Sequence, residues 1–376
     1  MAGEVVTQPD GIGHRYGAKS MSLICGLAGL PSCGKTAILN AITAAGASSY
    51  DGARINRAVV DIPDRRLDNL VEMYHPLKTR AASLEVVDIP GLSSDGSGRP
   101  SRQIGDIKDV DALLHVVRCF EDGSIPFAYE TIDPARDVED VELELMVADG
   151  ATLESKIQRL TKRVRSGDEQ AVRESSDCQK VHNAIQSGIP ARKQGLSQQE
   201  VDSVRECHLV SLKPVLYVAN IKSAEDAENA HVTALREIAE SEGTELISVS
   251  GQEEADISQL EPDEREEFLQ GLGLKESSME RLLRAAYKKL GLISFFTTGE
   301  DEVRAWTCRV GDKAPTAAGK IHTDMEAGFI RMEVVTYDDL IELGSETAVA
   351  RAGLQRLEGK TYEVQDGDIV AVRFNK

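Results

Sequence analysis

The run Gly29-Leu30-Pro31-Ser32-Cys33-Gly34-Lys35-Thr36 restricts this chain more than any other feature. It matches GxxxxGK[ST], a pattern that works only as a loop between a strand and a helix. Both flanks comply, with the apolar strand-like run SLICGLA before the loop and the helical run AILNAITAAG after it. Backbone amides exposed by the glycines, with a helix N-terminus behind them, make a cradle for phosphate oxygens. Lys35 brings a point charge to the β- and γ-phosphates, and Thr36 offers a hydroxyl to Mg²⁺. The expected phosphate contacts are therefore Gly29, Leu30, Pro31, Ser32, Cys33, Gly34, Lys35, Thr36 and Ala37, around a purine nucleoside triphosphate.

Two further signals stand at strand ends. Asp88-Ile89-Pro90-Gly91 fits DxxG and closes the apolar run LEVVD. There an Asp can take the outer shell of Mg²⁺, and the Gly91 amide can meet the γ-phosphate. Leu92 follows, in the place where Ras-like enzymes carry a water-orienting Gln. Leucine neither orients water nor accepts a proton, which points to slow turnover; Lys35, Gly91 and Leu92 are the candidate catalytic positions, with Thr36 and Asp88 as the metal-side pair. Asn220 ends the run PVLYVAN, where such proteins place the base-reading loop. An Asn amide there can bond purine N7 and nearby loop atoms; the alternative is an Asn that serves only the turn. A guanine-specific NKxD has an Asp that accepts from guanine N1 and N2. Here the run is Asn220-Ile221-Lys222-Ser223, without that carboxylate. Ile221 and Ser250, the latter after the next strand-like run, complete the base-side candidates. His75 and His115 read as packing or turn residues.

Strand-like runs at 22–28, 84–88, 112–119, 214–220 and 245–250 alternate with helical stretches, as in an α/β doubly wound domain. Between the third and fourth of these runs, residues 139–209 carry apolar side chains at helical spacing in two arms. An inserted antiparallel helical hairpin is expected, with ordinary surface helices as the alternative. Ser197 and Glu200 have capping-box spacing. Residues 253–267 are acidic and read as a solvated linker or helix face. An amphipathic helix at 279–290 leads into a small α+β domain. The division expected is 1–20 as a flexible extension, 21–138 with 210–278 as the nucleotide-binding domain, 139–209 as the hairpin and 279–376 as the C-terminal domain.

The formal charge of −20 argues against a surface that is basic all over, so nucleic acid, if bound, is met by a local patch, and sequence-specific DNA binding is not expected. Residues 156–193 supply such a patch, with nine Lys/Arg against four Asp/Glu, a net +5. The six cysteines form no CxxC and read as reduced thiols. No apolar run approaches the roughly 18 residues of a membrane span, and the first 20 residues lack a signal-peptide core. A cytoplasmic setting without membrane contact is expected.

Beyond the generic motifs, several stretches carry a resemblance. They are Ile62-Pro63-Asp64-Arg65-Arg66-Leu67, His115-Val116-Val117-Arg118-Cys119-Phe120 and Asp133-Pro134-Ala135-Arg136-Asp137. Near the C-terminus Glu302-Val303-Arg304-Ala305-Trp306-Thr307, Ala317-Ala318-Gly319-Lys320-Ile321-His322-Thr323-Asp324, Gly328-Phe329-Ile330-Arg331 and Asp366-Gly367-Asp368 join them. Together they resemble the Obg-like ATPases of the YchF type, from 21 to 376. The resemblance implies an α/β P-loop NTPase domain, an inserted antiparallel helical hairpin and a C-terminal β-grasp (TGS) domain. It also implies Mg²⁺ and ATP in preference to GTP, slow hydrolysis, and ribosomes as partner. This chain departs from the family at Ser32, usually Asn, and Cys33, usually Val, so the resemblance leaves potassium stimulation open. Residues 50–58 are shorter than the family's switch I and contain no Thr. Two other readings stay open: a GTPase with degenerate base recognition, and a nucleotide-stabilised interaction module without turnover.

Overall fold

The computed structural model describes residues 23–44, 47–51, 57–89, 107–260, 262–271, 274 and 276–375. In the first part of the chain the strands are β1 (Ile24–Ala28), β2 (Ala47–Asp51), β3 (Arg57–Asp61), β4 (Lys78–Arg80), β5 (Ser83–Asp88), β6 (Ala112–Arg118), β7 (Val215–Asn220) and β8 (Leu246–Val249). All of them except β4 form one sheet in the order β2-β3-β5-β1-β6-β7-β8. β6 and β7 are buried along their whole length, as central strands covered on both faces must be. β1 pairs in parallel with β5 on one side and β6 on the other, so the strand order reverses at its carboxyl end. Open α/β sheets bind ligands at such a switch point.

α1 (Lys35–Ala44) follows β1, and α2 (Arg65–Tyr74) follows β3. α3 (Pro134–Arg165) begins ahead of residue 139, because Asp133 caps it by accepting from the Ala135 and Arg136 amides and Pro134 has the right φ for a first turn. At 1.5 Å per residue its 32 residues reach about 48 Å. Its apolar stripe serves two cores. Val138, Val141, Leu145 and Ala148 pack under the sheet with Val117 and Tyr217. Met146 and Leu153 pack instead against Cys178, Val181 and Ile185 of α4 (Glu169–Gln186), which returns antiparallel after Gly167. α5 (Gln198–Val204) begins at the Ser197–Glu200 capping box read from the sequence. Buried Asp149 then ties the root of the insertion to the sheet by accepting from the Val210 amide (2.8 Å) and the Ser211 amide (2.7 Å).

After α6 (Ala230–Ser241), the acidic stretch forms α7 (Gly251–Ile257) and α8 (Pro262–Gly271). It is not wholly solvated. Glu254 is buried and accepts from the Ser278 amide at the start of α9 (Ser278–Lys289). The apolar face of α9 packs with Leu216, Val218 and Ile247 of the first sheet.

The C-terminal strands are β9 (Leu292–Thr297), β10 (Glu302–Arg309), β11 (Phe329–Thr336), β12 (Arg356–Glu358) and β13 (Asp368–Phe374). With α10 (Ala314–Ile321) packed on Phe295, Met332 and Val370, they make the β-grasp arrangement. The sheet order β12-β11-β13-β9-β10-β4 takes its edge strand from the other part of the chain, where β4 pairs in parallel with β10. Arg66 reinforces the join with a two-pronged contact to Asp366 (2.9 and 3.1 Å). Among the described residues no helix is long and apolar enough to cross a membrane.

His115 lies on β6 at 3% exposure, its ring 5.5 Å from that of Tyr217. Burial, assisted by Arg192 and Lys35, pushes its pKa from 6.5 down to about 3. The unfolded chain therefore binds a proton that the folded chain refuses, and stability is lost as pH falls from about 6.5 towards 3. Lowering pH from about 7 to about 5 should cost about 2 kcal/mol through this residue. Urea unfolding of wild type and His115→Gln at both pH values checks it: the variant should lose less stability, and equal losses would remove His115 from the account.

Candidate phosphate and base site

The loop between β1 and α1 is held in shape from several sides. Gly34 adopts φ +106, and a Cβ there would stand 1.9 Å from Asn220 Nδ2. At Gly29 a Cβ would stand 2.4 Å from the Val116 carbonyl oxygen. Only glycine fits either place. Ser32 takes φ +59 without that freedom and is exposed. Leu30 and Cys33 are buried, and burial pushes the Cys33 thiol up although nearby Lys35 pulls the other way. The Lys35 ammonium donates to the carbonyls of Gly29 (3.1 Å) and Leu30 (2.9 Å), which holds its charge across the loop. The first turn of α1 carries no acidic side chain, so its N-terminal partial charge stays available to an anion. Ala37 faces Gly251 at the start of α7.

Beneath the loop, Thr36 Oγ1 donates to Asp88 Oδ2 at 2.7 Å. The other oxygen, Asp88 Oδ1, is buried and has no hydrogen-bond partner among the described residues. A buried carboxylate oxygen left so is costly, and a water or cation answers it. Among the described residues there is no cluster of three or more His, Cys, Asp or Glu that could hold a metal alone. Mg²⁺ suits what is present: it keeps several waters and takes few protein ligands when phosphates supply the rest. Thr36 can give it a hydroxyl, and Asp88 Oδ1 can hold one of its waters.

On the base side, buried Asn220 donates through Nδ2 to the Cys33 carbonyl at 2.9 Å, joining the end of β7 to the phosphate loop. One of its two N–H donors is engaged in this way. The Ile221 amide bonds to Val249 O (3.0 Å). Ser250 Oγ donates to Lys222 O (2.9 Å) and accepts from the Glu253 amide (3.3 Å). Ser223, where a guanine reader has its Asp, turns its hydroxyl to Asp226 (3.3 Å). Gly91 and Leu92 lie outside the described residues, as do residues 1–20, 52–56 and the stretch 93–103. His75 ends α2 in the left-handed conformation, and His115 is packed in the core.

Three positioning residues carry no role in the sequence reading. Arg118, 2% exposed, donates to the carbonyls of Phe120 (3.1 Å), Asp122 (2.9 Å) and Ile125 (3.3 Å) and so sets the loop after β6. Asn229 holds the Cys119 carbonyl of that loop (2.8 Å). Glu253 accepts from the Ala224 amide (2.8 Å) and fixes the loop after β7. Its spacing from Ser250 is that of a capping box, a signal hidden in an acidic run.

The basic segment 156–193 is also redistributed. Arg192 and Lys193 sit at the root of the hairpin, where Arg192 pairs with Glu142 and Lys193 with Glu242. Lys156 is buried against Glu174 (2.5 Å), and Arg163 and Lys180 pair with Asp168 and Glu200. Among the described residues Arg159, Lys162, Arg165 and Arg173 are exposed and make no ion pair.

Comparison with known proteins agrees with this architecture. A family model described as a 50S ribosome-binding GTPase matches residues 24–157. The model of the C-terminal domain of YchF GTPases, described as a protein of unknown function, matches residues 292–375. The ribosome-binding ATPase YchF of Bacillus subtilis (strain 168) is 42% identical over 365 residues, covering 94% of this chain and 100% of the relative. That of Escherichia coli O157:H7 is 40% identical over 362 residues with the same coverage. The structure of the Schizosaccharomyces pombe YchF GTPase superposes with a TM-score of 0.84 at 32% identity, covering 96% of this chain and 100% of that one.

If Asn220 holds the phosphate loop as the geometry indicates, Asn220→Ala frees the buried Cys33 carbonyl. One such loss is worth about 1–3 kcal/mol, so triphosphate affinity should fall about fivefold to a hundredfold. Calorimetric titration of the folded variant measures it, and unchanged affinity would take Asn220 out of the site.

Proposed function

The chain belongs to the YchF family of P-loop NTPases, and from that premise we propose that it is a slow, Mg²⁺-dependent ATPase that acts as a switch on ribosomes. The observation that carries the reading is the pair Thr36–Asp88 beneath the phosphate loop, with one carboxylate oxygen left over for a metal-bound water. When bound, Mg²⁺ would offset charge on the β- and γ-phosphate oxygens. Lys35 would leave the Gly29 and Leu30 carbonyls for those oxygens, and the amides of 29–37 would hold the chain of phosphates in place. Gly91 would bring its amide to the γ-phosphate. Leu92 offers the attacking water nothing to hold, which accounts for slow turnover.

The relatives' names divide between ATPase and GTPase, so the choice of base rests on this chain's own residues. Asn220, through its second N–H, suits any purine N7. Ser223 gives no carboxylate to guanine N1 and N2, which removes the guanine preference and supports ATP. Ile221 and Ser250 would border the base. Ser223→Asp should shift preference towards GTP by about 1–3 kcal/mol, one charge-assisted bond. Competition of ATP and GTP for wild type and variant decides; a wild type that strongly prefers GTP contradicts the reading. Phosphate release in a single turnover with ribosomes present separates a switch from a module that never hydrolyses.

The ribosomal partner comes from the relatives' names, and the exposed cations Arg159, Lys162, Arg165 and Arg173 on the hairpin give it a surface. They project from an otherwise acidic molecule towards the phosphates of RNA. A ribosome-associated role sets the chain in the cytoplasm. Cosedimentation at low and high salt should show wild type pelleting with ribosomes at low salt only, and Arg159, Lys162 and Arg165 changed together to Glu should abolish pelleting. Equal, salt-insensitive pelleting of both would move the contact to another surface, such as the C-terminal domain.

A further inference from the structure

Along the hairpin, α3, α4 and α5 enclose a groove of about 760 Å³ that opens to solvent. That volume lies within the range of about 300–1,000 Å³ typical of small-ligand sites. None of the phosphate-side or base-side residues lines it. Lys156, 3% exposed, sets its shape: the ammonium donates to the Ser203 carbonyl on α5 (2.7 Å) and pairs with Glu174 on α4 (2.5 Å). One buried side chain thus fixes three helices against one another. Arg159 from α3 and Arg173 from α4 also line the groove, and among the described residues they are exposed and make no ion pair. The carboxylates beside them are answered, Glu174 by Lys156 and Asp202 by Arg205. Leu160, 6% exposed, gives an apolar floor. Gln170 and Gln199 are exposed at the walls, and among the described residues their side-chain amides have no hydrogen-bond partner.

We propose that this groove receives one unpaired nucleotide of an RNA chain, its phosphodiester between Arg159 and Arg173 and its base over Leu160. The proposal rests on the ribosomal reading above and adds to it the kind of RNA element that the hairpin selects. A groove of this size does not admit a duplex, so paired RNA meets only the exposed cations at its rim. An unpaired nucleotide can leave its stack, and proteins read such bases by stacking them on guanidinium planes and by hydrogen bonds to their edges. Both means are present. Arg159 and Arg173 bring planarity and charge together, and Gln170 and Gln199 each bring an acceptor oxygen and a donor amide. Glu206 at the groove, its side chain 82% exposed and 3.8 Å from Lys156, speaks against an acidic peptide as the occupant. It would repel carboxylates, yet it can accept from the exocyclic amino group of a base. Lys162 and Arg165, exposed further along α3, are placed for the neighbouring phosphates.

The test measures, by fluorescence anisotropy, binding of the full-length chain to a fully paired RNA stem and to the same stem with one bulged cytidine. The bulged RNA should bind about tenfold tighter or more, and an abasic bulge should lose that advantage. Gln170→Ala together with Gln199→Ala changes no charge and touches only exposed residues. It should bring the preference below about threefold while the paired stem binds as it does to wild type. Equal affinity of wild type for the two RNAs, with steep salt dependence in both, would overturn the proposal and leave the hairpin as a non-selective phosphate-binding surface. A bulge preference that survives both the glutamine pair and Arg159→Gln with Arg173→Gln would place the base elsewhere, and also overturn it. Binding of neither RNA would remove the proposal together with the hairpin's part in the ribosomal reading. Tighter binding of poly-glutamate than of either RNA would overturn it in favour of an acidic protein segment.

Discussion

The hydrogen bond from Thr36 to Asp88 depends on more of the chain than its 2.7 Å suggests. It joins the first turn of α1 to the last residue of β5, and it forms because β1 and β5 are parallel neighbours with Leu27 opposite Asp88. The same pairing sets the phosphate loop at the point where the strand order reverses. Asn220 repeats the logic from the far side, since β6 lies between β1 and β7 and brings Asn220 level with Arg118. The loop is thus held between two strand ends that are far apart in sequence. A site of this kind is only as well placed as the registers beneath it.

Those registers extend to the C-terminal sheet. β4 pairs with β10, and the buried core runs without interruption from Ile38 and Leu67 to Phe296 and Ile369. Arg66 lies over the Phe296 ring and contacts both Asp64, the cap of α2, and Asp366. Asp366 in turn accepts from the Ser294 amide (3.0 Å). Motion of the C-terminal sheet relative to α2 has to break these contacts together.

The sequence made the strand–loop–helix site legible because its glycines and Lys35 have almost no alternative use at that spacing. Helical periodicity made the hairpin legible too. It did not reveal that α3 serves two cores, since one stripe looks the same whether it meets one partner or two. The motif-like stretches quoted for the family were recognisable without their physical reasons. Structure supplies those: Asp133 and Pro134 start a helix, Arg118 gathers three carbonyls, and Ile62–Leu67 meets Asp366 across the domain junction. Charge counting was misleading at Lys156, Arg192 and Lys193, whose pairing partners come from other elements. Composition likewise hid Glu253 and Glu254, which hold backbone amides within an acidic run. Long-range partners are what a single sequence conceals most completely.

The account stands or falls on a metal-dependent phosphate site at residues 29–37. Titration calorimetry of the folded wild type and of Lys35→Ala with a non-hydrolysable ATP analogue, with and without Mg²⁺, measures it most directly. The account predicts binding that is strengthened by Mg²⁺ in wild type and absent in Lys35→Ala. Equal affinity in the two proteins, or affinity indifferent to Mg²⁺, would contradict it.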